Sequence, residues 1–298
     1  MRKLNLLIVC LTVTLFFSCK NDEVAPAIPA VKDHSNNLNI SILLDLSDRI
    51  SPRKYPNKSM EYYLRDVGYI SSVAEAFTNH LRNKKVRQVN DKMQLFFDPA
   101  PLNPEINALS KALKIAVDKN NVSKEFIDKI KKTYASEPLK IYQLAIDDDY
   151  YIGSDTWKFF QNKVNDYCIE NNYRNILIVL TDGYIYYKDS KIKENNATTY
   201  LTPEVIRTNG LNTSDWSQKM RSQKLEFIKA NNDLSDLEVL VLGIHPDPKN
   251  PYEEEVIKAY WGNWFKAMKV KRYEIRNADI PSNMDQLIQN FVSKNNLN

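Results

Sequence analysis

Three stretches of the sequence are almost unbroken runs of isoleucine, leucine and valine: NISILLDL (residues 39–46), NILIVLTDG (175–183) and LEVLVLGIH (237–245). A strand with one face in water alternates apolar and polar residues, whereas a strand covered on both faces is apolar throughout. The three runs therefore predict parallel strands at the centre of a sheet that helices cover on both faces.

Weaker strand patterns and amphipathic helical segments alternate with these runs along the chain. Further strands are predicted at 93–99, 140–146 and 271–277. Helices are predicted at 60–83, 103–118, 123–133, 157–171, 217–231, 253–268 and 282–294. The alternation predicts an α/β fold with a doubly wound, mostly parallel six-stranded sheet in a three-layer sandwich. The common strand order for such a sheet is 3-2-1-4-5-6.

One connection is unusually long for this fold. The polar, aromatic-dotted segment at 184–215 contains about thirty residues, whereas strand-to-helix connections usually take about two to six. It begins at the carboxyl end of the fourth strand, where open α/β sheets bind their ligands. We therefore predict a long loop insertion with a functional role.

The first 19 residues have the layout of an export signal, with a basic start, a mostly apolar run and then Cys19. The apolar run is shorter than the roughly twenty residues that a membrane-spanning helix needs. Residues 16–19 (FFSC) resemble a bacterial lipobox, and residues 20–23 (KNDE) resemble the acidic stretch of Bacteroidota-type surface lipoproteins. The resemblance implies a lipid anchor on Cys19, such as palmitate, in the outer membrane of the cell envelope. A plain cleaved signal peptide is the alternative.

The rest of the chain divides into a tether and one domain. Residues 20–37 contain prolines and no sustained period, which predicts a flexible tether before a domain at 38–298. The formal net charge of +4 lacks the strongly basic balance of nucleic-acid-binding proteins. With Cys19 acylated and Cys10 removed with the leader, Cys168 has no disulfide partner, and its helical context predicts a buried apolar role.

Oxygen-bearing side chains follow two of the central strands. Asp45, Ser47 and Asp48 come directly after the first strand, and Asp182 lies in the Thr-Asp-Gly sequence that ends the fourth. In the expected strand order these two strands are neighbours, so both clusters are expected at one crevice.

A third set of hydroxyls, Ser154 and Thr156, lies in a glycine turn before a predicted helix and is expected at the same crevice. Serine, threonine and aspartate oxygens without nearby histidine or cysteine are typical ligands of a hard cation. The pattern therefore indicates a site for Mg²⁺ or Mn²⁺.

The order of these motifs resembles the von Willebrand factor type A (vWA) domain and its metal-ion-dependent adhesion site. That family has D-x-S-x-S after strand 1, a Thr in a loop before a middle helix, and an Asp in T-D-G after strand 4. Asp45 and Ser47 match the first motif, Ser154 or Thr156 the second, and Asp182 the third. The resemblance spans about 38–294. It implies an under-coordinated metal that takes an acidic side chain of a protein partner as its last ligand.

Arg49 departs from the family pattern, because it stands where the family has its second Ser and stays protonated at any ordinary pH. Since a guanidinium repels a divalent cation, three arrangements compete. Arg49 points outward while Asp48 or Ser51 supplies the missing oxygen. It lies between Asp45 and Asp182 and replaces the metal with its own charge. Or it contacts an acidic partner beside a weakly held metal. In each case Arg49 modifies the site.

Several other polar and aromatic residues have a functional and a structural interpretation. Tyr184, Tyr186 and Tyr187 flank the proposed site and are predicted to contact a partner, with packing as the alternative. His245 ends the fifth strand without a second histidine or cysteine nearby, so a structural role is favoured. Four aromatic residues at helical spacing favour core packing over a ligand platform. They are Tyr260, Trp261, Trp264 and Phe265.

The sequence favours a binding protein over an enzyme. It contains no G-x-S-x-G, Walker A, G-x-G-x-x-G or H-E-x-x-H motif. The alternatives are a metal-assisted phosphoester hydrolase that uses Asp45 and Asp182, or a metal-free structural envelope lipoprotein. We predict an exported, lipid-anchored, vWA-like protein that binds a protein partner at a degenerate adhesion site.

Overall fold

The structure is a computed structural model that describes residues 36–293. The predicted signal peptide, the lipid site at Cys19 and nearly all of the tether lie outside the described residues. Within 36–293, no helix combines the length and apolar character that a bilayer crossing requires.

The described part of the chain forms nine strands. They are β1 (Leu38–Leu44), β2 (Asn90–Phe96), β3 (Ile115–Asp118), β4 (Arg174–Leu180), β5 (Lys193–Glu194), β6 (Ala197–Thr198), β7 (Glu226–Phe227), β8 (Leu237–Ile244) and β9 (Arg272–Asn277). Six of them form the main sheet in the order β3-β2-β1-β4-β8-β9, in which only β3 is antiparallel to its neighbour. The predicted order 3-2-1-4-5-6 is confirmed, with β8 and β9 as the fifth and sixth strands.

Helices cover both faces of this sheet, which confirms the predicted three-layer α/β fold. They are α1 (Tyr62–Arg82), α2 (Pro104–Ala112), α3 (Lys124–Asp147), α4 (Thr156–Asn162), α5 (Val164–Cys168), α6 (Pro203–Thr208), α7 (Trp216–Gln223), α8 (Glu253–Ala267) and α9 (Pro281–Ser293). Helices α1, α2, α3 and α9 contribute to the core on one face, and α4, α5 and α8 to the core on the other.

The central strands are apolar throughout because their side chains alternate between two cores. In β4, Ile176 and Ile178 enter the core with α1 and α3, whereas Leu177 and Val179 enter the core with α8. Burial of such residues on both faces is the main favourable contribution to folding. The predicted packing role of the α8 aromatics is confirmed, since all four are at most 1% exposed.

The predicted strand at 140–146 is wrong, because this segment is the last part of helix α3. Buried residues of α3 recur at Ile127, Ile130, Tyr134, Ile141 and Ala145, a helical spacing that continues past the internal Pro138. The Asp-rich stretch 147–149 therefore follows a helix instead of a strand.

The third strand of the sheet is β3, which the sequence placed inside a helix at 103–118. That helix ends at Ala112, and β3 pairs antiparallel with β2 at the edge of the sheet. The predicted helix at 157–171 is two short helices, α4 and α5. The predicted helix at 217–231 ends at Gln223, where Lys224 adopts a left-handed conformation.

The predicted loop at 184–215 contains more secondary structure than expected. It holds β5, β6 and α6, and a small sheet forms in the order β5-β6-β7. Ile185 and Leu201 form an antiparallel bridge and are both buried, which fixes the segment to the core beside α8.

Candidate functional site

The three central strands end side by side at one edge of the sheet. Backbone hydrogen bonds continue past the strand ends, with Asp45 N donating to Leu180 O at 3.1 Å and His245 N donating to Asp182 O at 2.9 Å. The residues that follow β1, β4 and β8 therefore lie next to one another. This edge is where open parallel sheets place their ligand sites.

A cavity of about 450 Å³ opens at this edge. Eight of the predicted site residues line it, and they are Asp45, Ser47, Asp48, Arg49, Ser154, Asp182, Tyr184 and Tyr186. Within 36–293, the residues around the cavity do not include Ser51, Thr156 or Tyr187. The expectation that distant segments meet at one crevice therefore agrees with the structure.

The loop that carries Ser154 reaches the cavity through an antiparallel bridge between Leu46 and Gly153. Ser154 Oγ lies 3.1 Å from Thr156 Oγ1, and Thr156 begins helix α4. Asp155 between them caps that helix by accepting from Lys158 N at 3.1 Å. The loop therefore presents Ser154 to the cavity, while the two following residues serve the helix.

Glycine is required after Asp182 because Gly183 has a φ of +97° and its surroundings leave no room for a side chain. A Cβ there would lie 2.7 Å from side-chain atoms of both Ile244 and Ile257. The tight turn brings the backbone N–H of Tyr184 to Asp182 Oδ1 at 3.0 Å. The Thr-Asp-Gly sequence therefore fixes the direction of the Asp182 carboxylate.

The Asp45 carboxylate is held by its own segment and by β4. Its Oδ1 accepts from Ser47 N at 2.8 Å, and its Oδ2 accepts from Thr181 Oγ1 at 3.3 Å. Arg49 Nε lies 3.5 Å from the same Oδ2. Both oxygens of Asp45 are thus engaged within the protein.

Arg49 points inward and is only 6% exposed. Its Nη2 donates to Asp66 Oδ2 at 2.5 Å and to Leu180 O at 3.0 Å. Tyr142 donates its hydroxyl to the same Asp66 oxygen at 2.9 Å. The outward arrangement of Arg49 is therefore wrong. Of the three alternatives the inward one agrees best, with Asp66 of α1 as the main partner.

Buried carboxylates give this edge an excess of negative charge. Burial, and secondarily the neighbouring Asp45, raise the pKa of Asp182 to about 7. Burial also raises the pKa of Asp45, although Arg49 opposes the rise. Burial and the nearby Arg65 and Arg49 lower the pKa of His245, which favours the neutral imidazole. A second cation would therefore be favoured here.

Sequence motifs assigned no role to several contributors to the site, among them Asp66 and Tyr55. Asp66 lies on the apolar face of α1, among the buried residues Tyr62, Tyr69 and Ile70. A carboxylate within an apolar helical stripe indicates a buried cationic partner, so this signal was present in the sequence. Tyr55 lines the cavity from the loop after β1, and nothing in its sequence context distinguishes it.

His245 also lines the cavity, and its contact with Tyr62 supports the structural role that the sequence favoured. The Tyr62 hydroxyl lies 2.9 Å from His245 Nδ1 and 2.8 Å from Nε2. The two rings lie 4.3 Å apart between centroids. This pair forms one wall of the cavity.

The side chains as placed do not fit a bound Mg²⁺ or Mn²⁺. The guanidinium of Arg49 occupies the place of the third D-x-S-x-S oxygen and neutralises Asp45, the first ligand of the motif. A divalent ion in contact with Asp45 would also lie close to this guanidinium and be repelled by it.

The chain matches no family model and no curated protein. One similar solved structure is that of an aerotolerance-related membrane protein from Bacteroides fragilis NCTC 9343 with multiple mutations to serines. The sequence identity is 10% and the TM-score is 0.37, and the match covers 86% of this chain and 98% of that one. The pilus adhesin SpaC from Lactobacillus rhamnosus GG is similar at 14% identity and a TM-score of 0.39, covering 86% of this chain and 29% of that one.

We expect the melting temperature of the protein to be unchanged by millimolar MgCl₂ or MnCl₂, compared with NaCl at the same ionic strength. A ligand stabilises a protein only if it binds the folded state, and Arg49 takes the place of the ion. Differential scanning calorimetry measures this. A rise in the melting temperature that disappears in Asp182→Ala would restore the metal site.

We expect the buried pair of Arg49 and Asp66 to behave as one unit in unfolding experiments. Arg49→Met leaves Asp66 buried without its cation, and Asp66→Asn leaves Arg49 with only its longer contact to Asp45, so each is expected to lower the free energy of unfolding by about 3–5 kcal/mol. The double variant is expected to lose much less than the sum. Urea denaturation measures the free energy of unfolding of the two single variants and of the double variant.

The control is Arg53→Met, which removes an exposed pair from the same loop. Arg53 lies 2.8 Å from Asp149, with the two side chains 74% and 55% exposed. Such a solvent-exposed pair contributes little to the free energy of unfolding. A loss for Arg49→Met no larger than for Arg53→Met would contradict the structural role of Arg49.

Proposed function

We propose that this protein is a vWA-like binding protein of the cell envelope, which engages another protein through the crevice at the carboxyl ends of β1, β4 and β8. The convergence of Asp45, Ser154 and Asp182 on one cavity supports this proposal. The cavity is concave and rigidly held by strand ends, as binding sites of open α/β sheets usually are.

Exposed apolar side chains near the cavity support a protein as the ligand. In the described part of the chain, eight large apolar or aromatic side chains are exposed, and four of them line the crevice or a groove beside it. These four are Tyr55, Leu102, Tyr150 and Tyr186. The groove is lined by Leu46, which lies in sequence between Asp45 and Ser47 of the crevice. Clustered exposed aromatics are typical of protein interfaces.

Binding is favoured over catalysis by the state of the carboxylates. Metal-assisted phosphoester hydrolysis needs carboxylates free to ligate a metal, whereas Asp45 is engaged by Ser47, Thr181 and Arg49. The hydrolase alternative stays a prediction without a supporting contact. A purely structural envelope protein is the other alternative, and the cross-linking experiment below distinguishes it from a binding protein.

We place a photo-cross-linking amino acid at Tyr186, which lines the crevice and is 50% exposed. If the crevice binds a partner, illumination of cells that make this variant is expected to give one discrete adduct of higher mass. Immunoblotting detects the adduct, and mass spectrometry identifies its second protein.

The matched control places the same amino acid at Val86. Val86 is 59% exposed and lies in the short helical turn before β2, at the opposite edge of the sheet. No adduct from Tyr186, or the same set of adducts from both positions, would reject a partner at the crevice.

A lipid on Cys19 is the second part of the proposal and rests on the resemblance of residues 16–23 to lipoprotein signals. Acylation would hold the domain at the membrane surface on a short tether, where the crevice is free to meet other envelope proteins. We expect cells grown with labelled palmitate to label the protein, and Cys19→Ala to lose the label. Label retained in Cys19→Ala would remove the anchor.

A further inference from the structure

We propose that the crevice takes a basic side chain from its partner, the ammonium of a lysine or the guanidinium of an arginine. The inference rests on the proposed protein-binding function and adds the chemistry of the group that is bound. The vWA resemblance by itself implied the opposite charge, a partner's carboxylate that completes the coordination of a metal.

Among the side chains that line the cavity, carboxylates outnumber positively charged groups, while the other cations that contact these residues lie outside the lining. Four carboxylates line the cavity, against one guanidinium. The four belong to Asp45, Asp48, Asp182 and Asp247. The guanidinium of Arg49 is already in contact with Asp45 and with Asp66, which lies behind the cavity. In a partly desolvated cleft such an imbalance attracts a cation much more strongly than in water.

Asp182 is the carboxylate best placed to receive that cation. Asp48 already has Lys54 Nζ at 3.1 Å, and Asp247 has an Arg207 nitrogen at 3.7 Å. Asp182, in contrast, forms no ion pair with a lysine or arginine of residues 36–293. A charge-assisted hydrogen bond from a bound ammonium or guanidinium would satisfy it.

Tyrosine rings supply the walls that hold the rest of such a side chain. Tyr62 and Tyr184 have their hydroxyls engaged, by His245 and Glu253 respectively, so their rings are fixed in place. Tyr55 and Tyr186 also line the cavity and are 43% and 50% exposed.

The faces of these rings favour cations. Within the protein, Arg65 already lies over Tyr62, with its Cζ 5.0 Å from the ring centroid, and Lys191 Nζ lies 5.8 Å from that of Tyr186. The carbon stem of a lysine or arginine packs on such rings while its charge reaches a carboxylate.

One group in the cavity favours a ligand that accepts a hydrogen bond over a ligand that is a cation. Arg49 Nε is buried and has no hydrogen-bond partner within the described residues. A carboxylate that accepted from it would lie beside both Asp45 and Asp182, because Arg49 Nε is 3.5 Å from Asp45 Oδ2. Since the charge of Arg49 is already offset by Asp45 and Asp66, repulsion from the remaining carboxylates disfavours that ligand.

The NMR signals of the glycine backbone amides report binding directly, and they are easy to resolve because the chain has only six glycines. Gly183 follows Asp182, and Gly243 lines the cavity. The sequence has one Asp-Gly step and one Leu-Gly step, at 182–183 and 242–243. Carbonyl-labelled aspartate or leucine, combined with ¹⁵N-glycine, therefore assigns each signal in the purified protein. Gly68 and Gly262, inside α1 and α8, serve as internal references.

The probes are the Nα-acetyl amides of lysine, arginine, glutamate and norleucine. We expect the lysine and arginine amides to shift Gly183 and Gly243 in a saturable manner, with an affinity at least about tenfold higher than that of the glutamate amide. The norleucine amide, which has an apolar chain of similar length, is expected to leave both signals in place. Arginine and lysine differ in geometry, so the comparison also tells which of the two fits better.

Asp182→Asn is expected to weaken binding of the lysine or arginine amide about tenfold. Asp149→Asn is the control, because Asp149 is an exposed carboxylate paired with Arg53 and does not line the cavity. It is expected to leave the affinity unchanged. Equal losses in the two variants would mean a general charge effect and would overturn the proposal.

The proposal also fails if the glutamate amide binds as tightly as the lysine amide, or if no probe shifts Gly183 and Gly243. Its failure is distinguishable from that of the proposed function. A discrete adduct at Tyr186 together with silent lysine and arginine amides would keep protein binding and remove the cation. Saturable shifts without an adduct would keep the cation site and remove the protein partner.

Discussion

The buried contact between Arg49 and Asp66 is the interaction on which the functional edge depends. It joins the segment after β1 to helix α1, and Arg49 also donates to the last carbonyl of β4. One guanidinium thus holds three elements together under the cavity floor. Because isolated buried charges are costly, neither partner is free to leave without the other. The positions of Asp45, Ser47 and Asp48 along the cavity follow from this contact.

Parallel strands supply the second constraint. Since β1, β4 and β8 run in the same direction and are neighbours, whatever follows them is brought to one edge. Gly183 then allows a turn too tight for other residues, and the bridge from Leu46 to Gly153 brings in a fourth segment. The cavity is therefore built from short pieces distant in sequence, each fixed by backbone hydrogen bonds. Preorganised sites of this kind lose little entropy on binding.

Much of this arrangement was predictable, because the strongest signals in the sequence concern local burial. The apolar runs of β1 and β4 fit only strands that are covered on both faces. The positions of Asp45 and Asp182 follow, because each lies just after the end of one of these strands. The segment at 140–146 was misassigned because its short apolar pattern also fits a strand, although the apolar spacing from Ile127 onward continues through it. The partner of Arg49 was missed for a different reason. A pairing between residues 17 positions apart depends on how α1 packs on the sheet, and only the placement of Asp66 in an apolar stripe hinted at it.

A cation that is part of the chain behaves differently from a metal ion that is bound from solution. Arg49 is only 6% exposed and stays charged at every physiological pH. A chelator does not remove it, and a low concentration of divalent ions does not vacate its place. In the proposed function, contacts at the crevice therefore do not depend on the supply of divalent ions.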